Sequence, residues 1–155
     1  MEKNVNANMI NHFRFLVSSL LPFLQQCSSS PDPSGGNGGW QQVILLENGT
    51  WAAAGCAAAP ATCALVASTG IPAAARWQVK LSALRPGRRV LPHCGPTNTR
   101  VRAHLGLRVP RPESQSRLRI ADVTMGWAEG EYLVIDDSFE HEVLCLLTSG
   151  CLVDV

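Results

Sequence analysis

The chain has 155 residues and a formal net charge of +1, with 46% hydrophobic and 16% charged residues. This length suits one domain with tails and is sufficient to bury a hydrophobic core. The apolar segment 13–24 is interrupted by Arg14 and Pro22, and it is shorter than the ~20 residues that a membrane-spanning helix requires. We therefore predict no transmembrane span in this sequence.

The small net charge results from two opposed segments. Residues 76–119 contain eleven Lys or Arg and one acid, Glu113, whereas residues 120–155 contain eight acids and no Lys or Arg. We expect the two segments to pair across neighbouring strands. Nucleic-acid binding is the other interpretation of a basic segment, but this one lacks the interleaved aromatic residues on which bases stack. We therefore predict no nucleic-acid partner.

The N-terminal quarter of the chain shows little regular patterning. Residues 1–27 form a poorly defined segment, and residues 28–39 (SSSPDPSGGNGG) have the composition of a flexible linker. The predicted folded domain therefore covers residues 40–155. At its start, residues 42–47 have the pattern of a strand that turns at Asn48-Gly49, and Pro60 is placed to begin a short helix over Ala61–Ala67.

From Arg76 onward the side chains alternate with a period of two, which is typical of strands. One predicted face consists of Trp77, Val79, Leu81 and Ala83, and the other of Gln78, Lys80 and Ser82. Further strands are predicted over residues 100–105, 117–123, 131–136 and 143–147. Short strands separated by turns at ~8–12 residues predict a β-sandwich or barrel, so the expected fold is all-β with short N-terminal helical segments.

The predicted strand at 100–105 carries Arg100, Arg102 and His104 on one face. An ordinary antiparallel strand exposes its polar face to water, whereas a ligand-holding barrel can turn such a face towards an internal cavity. Composition leaves both arrangements open and slightly favours the exposed one.

His93 and His141 stand 48 positions apart, each at the end of a strand-like run. Two imidazoles inside a β-barrel suit a non-haem iron site, which usually adds a carboxylate. That carboxylate commonly lies two residues after the first histidine, where this chain has Gly95, and no Asp or Glu occurs between Glu47 and Glu113. From spacing alone, a metal site and two structural histidines both remain open.

Four blocks of sequence carry a resemblance to a known family: GGWQQ, GCAAAPATC, KLSALRPGRRVLPHCGPTNTRVRAHLGL and WAEGEYLVIDDSFEHEV. In order and separation they resemble the catalytic domain of the aspartyl/asparaginyl β-hydroxylases, and they cover roughly residues 40–143. The resemblance implies a double-stranded β-helix, which is a jelly-roll, cupin-like fold, and the use of Fe(II), O2 and the cosubstrate 2-oxoglutarate. It also implies iron binding by two histidines without a carboxylate, which suits glycine at position 95.

The resemblance also assigns roles to individual residues. The matched positions are His93 and His141 for iron, Ser82, Arg102 and His104 for 2-oxoglutarate, and Arg100 for the acidic side chain of the substrate. A planar guanidinium can form two hydrogen bonds with one carboxylate, which suits the binding of 2-oxoglutarate and of an acidic substrate side chain. Cys56 and Cys63 match a pair that forms a disulfide in the family, whereas their spacing alone allows either a disulfide or two free thiols.

The C-terminal segment LCLLTSGCLVDV departs from the family pattern. The family has an arginine ten residues after the second histidine, and it binds the distal carboxylate of 2-oxoglutarate. Here that position is Cys151, and no Lys or Arg follows Arg119. We expect the barrel to lack a strand at this end. A truncated splice form, an imperfect gene model or true divergence would each account for the departure.

Two functions are therefore predicted. The first is an Fe(II)- and 2-oxoglutarate-dependent dioxygenase that hydroxylates the β-carbon of Asp or Asn in a peptide or protein domain. The second is a catalytically impaired relative that binds a peptide or a metal without turnover, which the missing arginine favours. The resemblance suggests the lumen or membrane of the endoplasmic reticulum, and a cytoplasmic location remains open.

Overall fold

The computed structural model of the chain describes residues 39–69, 78–109, 111–112 and 115–146, together with the backbone of 152–154. The predicted N-terminal segment, nearly all of the predicted linker, Trp77 and Cys151 lie outside these residues. Within the described part, no helix has both the length and the apolar character that crossing a membrane requires.

Strands dominate the described residues, with two short helices between the second and third strands. The elements are β1 Trp40–Glu47, β2 Thr50–Trp51, α1 Ala53–Ala58, α2 Pro60–Ser68, β3 Gln78–Leu84, β4 Arg89–His93, β5 Arg102–Leu105, β6 Ser116–Ile120, β7 Val123–Met125, β8 Tyr132–Ile135, β9 His141–Cys145 and β10 Leu152–Asp154.

The strands form three antiparallel sheets, with the orders β10-β3-β1-β2, β4-β9-β6-β7 and β5-β8. Neighbours in the sheets are often far apart in sequence, as when β4 pairs with β9 and β3 with β10. This arrangement confirms the predicted all-β, jelly-roll-like fold.

The first hairpin and the second helix begin and end close to their predicted positions. The turn at Asn48-Gly49 has φ angles of 49° and 76°, which a tight two-residue hairpin turn requires at both central positions. Helix α2 has Pro60 in its first turn, where a missing backbone N–H costs nothing.

Two elements differ from the sequence prediction. The predicted strand at 117–123 is two strands, β6 and β7, because Ala121 adopts a positive φ of 47° and turns the chain. Helix α1 was not predicted. It lies directly on β1, since a Cβ atom at Gly55 would stand 1.8 Å from the Ile44 carbonyl oxygen, so the close approach depends on glycine.

The C-terminal tail contributes a strand to the first sheet. We expected the divergent tail to leave out a strand, but Leu152–Asp154 forms β10 and pairs with β3 through Leu152 opposite Leu84 and Asp154 opposite Ser82. Backbone hydrogen bonding in a ladder depends little on side-chain identity, so a tail unlike the family in sequence can still form a strand against β3.

The hydrophobic core consists of three clusters. The largest packs β1 and β3 against α1 and α2, and it contains the fully buried Leu45, Leu46 and Leu81. The second lies around Leu118 and Trp127, and the third joins Leu84 and Val90 to Cys145. A disulfide between Cys56 and Cys63 links α1 to α2 beside the first cluster.

The opposed charge segments pair as predicted. The Arg119 side chain lies 2.6 Å from Glu142 on the neighbouring strand β9 and 3.0 Å from Glu140. These hydrogen bonds hold the pKa of Arg119 above its usual value. Arg100 and Arg102 both pair with Asp137, so members of the basic segment meet members of the acidic one in space.

Candidate functional site

A cavity of about 260 Å³ opens between the three sheets. Five of the six residues predicted to bind metal, cosubstrate or substrate line it: Ser82, His93, Arg102, His104 and His141. The sixth, Arg100, lies beside Arg102 and shares its carboxylate partner. The structure therefore brings together side chains that are up to 59 residues apart in sequence.

The polar faces of β3 and β5 point into this cavity. Lys80 and Ser82 of β3 line it from one side, and Arg102 and His104 of β5 from another. The opposite face of β3 packs into the hydrophobic core through Val79, Leu81 and Ala83. The slightly favoured expectation of a water-exposed polar face on the strand at 100–105 is therefore wrong for Arg102 and His104, because these two side chains line an internal space.

His93 and His141 lie directly opposite each other, at the last residue of β4 and the first residue of β9. Their ring centroids are 4.2 Å apart, with an angle of 51° between the ring planes. The register shifts between Val90 and His93, so β4 holds one extra residue there. Such a bulge re-aims a side chain, and it brings His93 to the same cavity wall as Val90.

The hydrogen bonds of the two rings determine which nitrogen is available to a ligand. Nδ1 of His93 lies 2.8 Å from the Leu91 carbonyl oxygen, and Nδ1 of His141 lies 2.9 Å from that of Phe139. A carbonyl oxygen only accepts, so each Nδ1 must carry the hydrogen. In the neutral rings, Nε2 then has a free lone pair, which is the arrangement of metal-binding histidines.

These two rings fit a shared metal ion. The ring centroids are 4.2 Å apart, which is close enough for two imidazoles to share one ion at a metal–nitrogen bond of about 2.1 Å. Within the described residues, no group of three His, Cys, Asp or Glu side chains is placed to hold a metal. Among these residues, His93 and His141 are therefore the ones that would hold a metal at this place in the cavity.

Asp137 is the buried centre of a charged cluster at the same end of the cavity. Its side chain is 1% exposed, and its Oδ2 accepts hydrogen bonds from Arg102 Nε at 2.5 Å and Arg100 Nη2 at 3.1 Å. Burial by itself raises the pKa of Asp137, but the hydrogen bonds and charges of the two arginines hold it below its ordinary value of 3.8. Its other oxygen, Oδ1, is buried and has no hydrogen-bond partner among the described residues.

Gly95 lies against this carboxylate. Its N–H donates to the Asp137 carbonyl oxygen at 2.6 Å, and a Cβ atom at position 95 would stand 2.6 Å from the Asp137 carboxyl group. The position two residues after His93, where an iron-binding carboxylate is common, is therefore filled by the Asp137 side chain from another part of the chain. A side chain at position 95 would displace Asp137.

His104 has the opposite tautomer from the two paired histidines. The Trp127 indole N–H donates to His104 Nδ1 over a long 3.4 Å, and the two rings are nearly parallel. Because the indole is only a donor, Nδ1 accepts and the neutral His104 carries its hydrogen on Nε2. That tautomer suits donation to an anionic oxygen.

Several residues that build the site were not singled out from the sequence. Trp40 and Trp127 form cavity walls, and Trp40 donates to Ser82 Oγ at 2.7 Å. Asp137 directly follows the predicted strand at 131–136 and was given no role there. It lies in the turn between β8 and β9, so strand alternation does not apply to it.

Comparisons with known proteins agree with this geometry. The sequence profile of the family described as Aspartyl/Asparaginyl beta-hydroxylase matches residues 18–149. The chain belongs to the aspartyl/asparaginyl β-hydroxylase family. The match begins ahead of the predicted domain start at residue 40 and includes the whole cavity.

Individual members of this family share much of the sequence. The chain is 44% identical over 110 residues to the aspartyl/asparaginyl beta-hydroxylase of Mus musculus, covering 68% of this chain and 14% of that relative. It is 36% identical over 147 residues to aspartate beta-hydroxylase domain-containing protein 2 of Xenopus tropicalis, covering 91% of this chain and 37% of the relative.

A third relative has a different printed activity. The ornithine lipid ester-linked acyl 2-hydroxylase of Rhizobium tropici is 33% identical over 128 residues, covering 82% of this chain and 44% of that protein. The chain thus spans less than half the length of each of these three relatives.

Proposed function

We propose that the chain is an Fe(II)- and 2-oxoglutarate-dependent dioxygenase that hydroxylates the β-carbon of Asp or Asn in a peptide. The observation that carries the proposal is the pair His93 and His141, whose Nδ1 atoms are held by carbonyl groups on the wall of a polar cavity. Membership of a β-hydroxylase family supports the reaction class.

In this proposal the two histidines hold the metal through Nε2 and leave the remaining positions open. The bound iron supplies the activation of O2, while the protein supplies orientation and a shielded cavity. The register of β4 and β9 keeps the two rings in place without a third ligand. Trp127, which is 2% exposed, closes the cavity beside His104 and helps to exclude water.

Arg102 and His104 orient the cosubstrate in this proposal. Arg102 uses Nε on Asp137 and donates from Nη1 to Gln78 Oε1 at 3.4 Å, which fixes the plane of its guanidinium. A guanidinium has five N–H donors, so the remaining ones can bind a carboxylate. His104, on the same face of β5, adds an Nε2–H donor, and charge-assisted hydrogen bonds of this kind are strong.

Arg100 binds the acidic group of the substrate in this proposal. Its side chain is 34% exposed and is anchored to Asp137, so it lies close to Arg102 yet remains accessible. An acidic side chain gains a bidentate partner there, whereas an acyl chain of the kind named for the Rhizobium tropici relative would not. We therefore favour Asp or Asn in a peptide over a lipid substrate.

Binding without turnover is the second candidate. The observation that favours it is Cys151, which stands where the family has an arginine for the distal carboxylate of 2-oxoglutarate. A chain that binds metal and peptide but holds the cosubstrate poorly would behave in this way.

Incubation of the purified chain with Fe(II), 2-oxoglutarate and an Asp-containing peptide tests the proposal. We expect consumption of 2-oxoglutarate and a gain of one oxygen atom on the peptide, measured by mass spectrometry. His93→Ala should abolish both, and Cys94→Ser, at an exposed free thiol beside the site, should retain them. Metal and peptide binding without any consumption of 2-oxoglutarate would instead support the second candidate.

A further inference from the structure

A surface turn carries a short motif that the proposed function does not use. Asn48-Gly49-Thr50 has a threonine two residues after an asparagine, and no other asparagine in the sequence is followed by Ser or Thr at that spacing. This is the acceptor pattern for an N-linked glycan when the middle residue is not proline. Because so short a pattern also occurs by chance, its use depends on exposure, on the compartment and on the surrounding structure.

Asn48 stands at the tip of the hairpin between β1 and β2. The side chains of Asn48 and Thr50 are exposed, and the pairing of Glu47 with Thr50 closes the turn. The positive φ of 49° at Asn48 is a conformation in which asparagine is enriched over most residues that carry a side chain. The amide is therefore held in a defined turn and is accessible to an enzyme.

The disulfide between Cys56 and Cys63 indicates an oxidising compartment. It lies in the two helices that directly follow the hairpin. Disulfides persist in secreted proteins and in the lumen of the endoplasmic reticulum, and they are rare in the cytosol. N-linked glycans are attached in the same lumen, so a chain that forms this bond also meets the enzyme that recognises the Asn-x-Thr motif.

A glycan on Asn48 would be attached far from the cavity. Strand β1 contributes Trp40 and Gln42 to the cavity wall, and Asn48 follows Gln42 by six positions. At about 3.3 Å per residue, the turn is roughly 20 Å away along the strand. Modification of this asparagine is therefore compatible with an open cavity.

The hairpin also has open surface that a glycan would cover. Strand β2 is the last in the order β10-β3-β1-β2, so among the described residues no strand pairs with its outer edge. Trp51 on this strand is 37% exposed. An unpaired edge beside an exposed aromatic ring can pair with another chain, and a bulky, hydrated glycan nearby hinders such an approach.

We propose that Asn48 is the acceptor of an N-linked glycan that is attached in the lumen of the endoplasmic reticulum. The donor is a lipid-linked oligosaccharide diphosphate. The Asn48 amide nitrogen forms a bond to the anomeric carbon of the first sugar, the bond from that carbon to the lipid diphosphate breaks, and the amide loses one proton. The inference is independent of the chemistry of the cavity.

The full chain is expressed in cultured mammalian cells behind a cleavable secretory leader. Peptide N-glycosidase F then releases N-linked glycans in heavy-oxygen water, which converts the acceptor asparagine to a labelled aspartate that peptide mass spectrometry locates. Thr50→Ala removes the motif and leaves Asn48 in its turn, whereas Thr50→Ser keeps the motif. Asn98→Gln is the control at an exposed asparagine outside such a motif.

We expect wild type, Thr50→Ser and Asn98→Gln to lose the mass of one glycan on treatment, with the label at residue 48. Thr50→Ala should show neither the mass change nor the label. Non-reducing peptide maps should contain the Cys56–Cys63 link in all four proteins, which shows that each has folded. Release of the glycan should increase the light scattering of wild type on heating, because the edge of β2 is then uncovered.

Three outcomes would overturn the inference. A wild-type chain that contains the Cys56–Cys63 link and an unmodified Asn48 would show that the compartment is correct and the acceptor is not. A chain with neither the link nor the glycan would refute both steps. An equal mass change in Thr50→Ala and wild type would place the glycan on another residue. Unchanged light scattering after release would refute the protection of the β2 edge.

Discussion

Asp137 shows how one buried carboxylate can organise two functional arginines. Its Oδ2 accepts from both Arg100 and Arg102, which we assign to substrate and cosubstrate. Taking a carboxylate out of water is costly unless hydrogen bonds compensate it, and here two guanidinium groups do so. The orientation of both arginines therefore depends on a residue that touches neither proposed ligand in our assignment.

Asp137→Asn should lower the free energy of unfolding at pH 7 by about 1.5–3 kcal/mol, the range for hydrogen bonds to charged groups. The pKa of Asp137 is below its ordinary value of 3.8 in the folded protein. Its contribution is therefore present above that value and is lost as the pH falls through the folded pKa. The difference between wild type and variant, measured by urea unfolding, should shrink below pH 4.

Asp122→Asn is the matched control for this experiment, because Asp122 is exposed in the turn between β6 and β7. It should change stability by less than about 0.5 kcal/mol at any pH. Equal losses for the two variants, or a loss at Asp137 that persists unchanged at pH 3, would contradict the stabilising role of this carboxylate.

His93→Ala and His141→Ala should each weaken the binding of Fe(II), or of an inert divalent substitute, at a single shared site. Each substitution removes one of the two imidazole donors that face each other at 4.2 Å. Stoichiometry and affinity are measured by calorimetry, with Cys94→Ser to exclude binding by the neighbouring exposed thiol. Unchanged affinity in both histidine variants would show that the metal, if any, binds elsewhere.

At the scale of single elements, the sequence was informative where side-chain alternation controls burial. The period of two in β3 correctly divided the core residues Val79 and Leu81 from the cavity residues Lys80 and Ser82. It did not reveal the bulge before His93, since an extra residue in a strand has no compositional signal. It also missed the turn at Ala121, because alanine gives no indication of a positive φ.

Helix α1 and the Asp137 cluster depend on contacts between distant segments. Gly55 must approach β1, and Gly95 must leave room for a carboxylate that follows 42 residues later. Neither requirement is encoded locally. The roles of the histidines and arginines came from resemblance to a family, and periodicity alone could only place Arg102 and His104 on one face.

The disulfide between Cys56 and Cys63 should stabilise the helical layer on β1. It joins α1 to α2 around the buried Ala59. For so short a loop, the chain-entropy estimate is about 2 kcal/mol. We expect the double variant Cys56→Ser/Cys63→Ser to lose stability by that amount in thermal unfolding. Cys94→Ser should show no loss, and a double variant as stable as wild type would refute the contribution of the cross-link.

At the scale of the whole molecule, three sheets meet around one cavity. Strand β3 contributes to both the core and the cavity, and it lies between β1 and β10. The backbone of β3 therefore supports both the packing of the hydrophobic core and the geometry of the cavity. The position of β10 beside β3 matters more for this edge than the identity of the residues that form it.

Deleting residues 152–155 should lower both the stability of the protein and its affinity for 2-oxoglutarate. Without β10, the backbone groups of Ser82, Ala83 and Leu84 lose their partners, and β3 becomes an open edge that can pair with another copy of the chain. We expect a lower Tm, increased light scattering on heating and weaker binding of 2-oxoglutarate. Deleting Val155 alone, which follows β10, should change none of these. If the longer deletion keeps the wild-type Tm and scatters light no more than wild type on heating, then β10 is not required to complete the sheet.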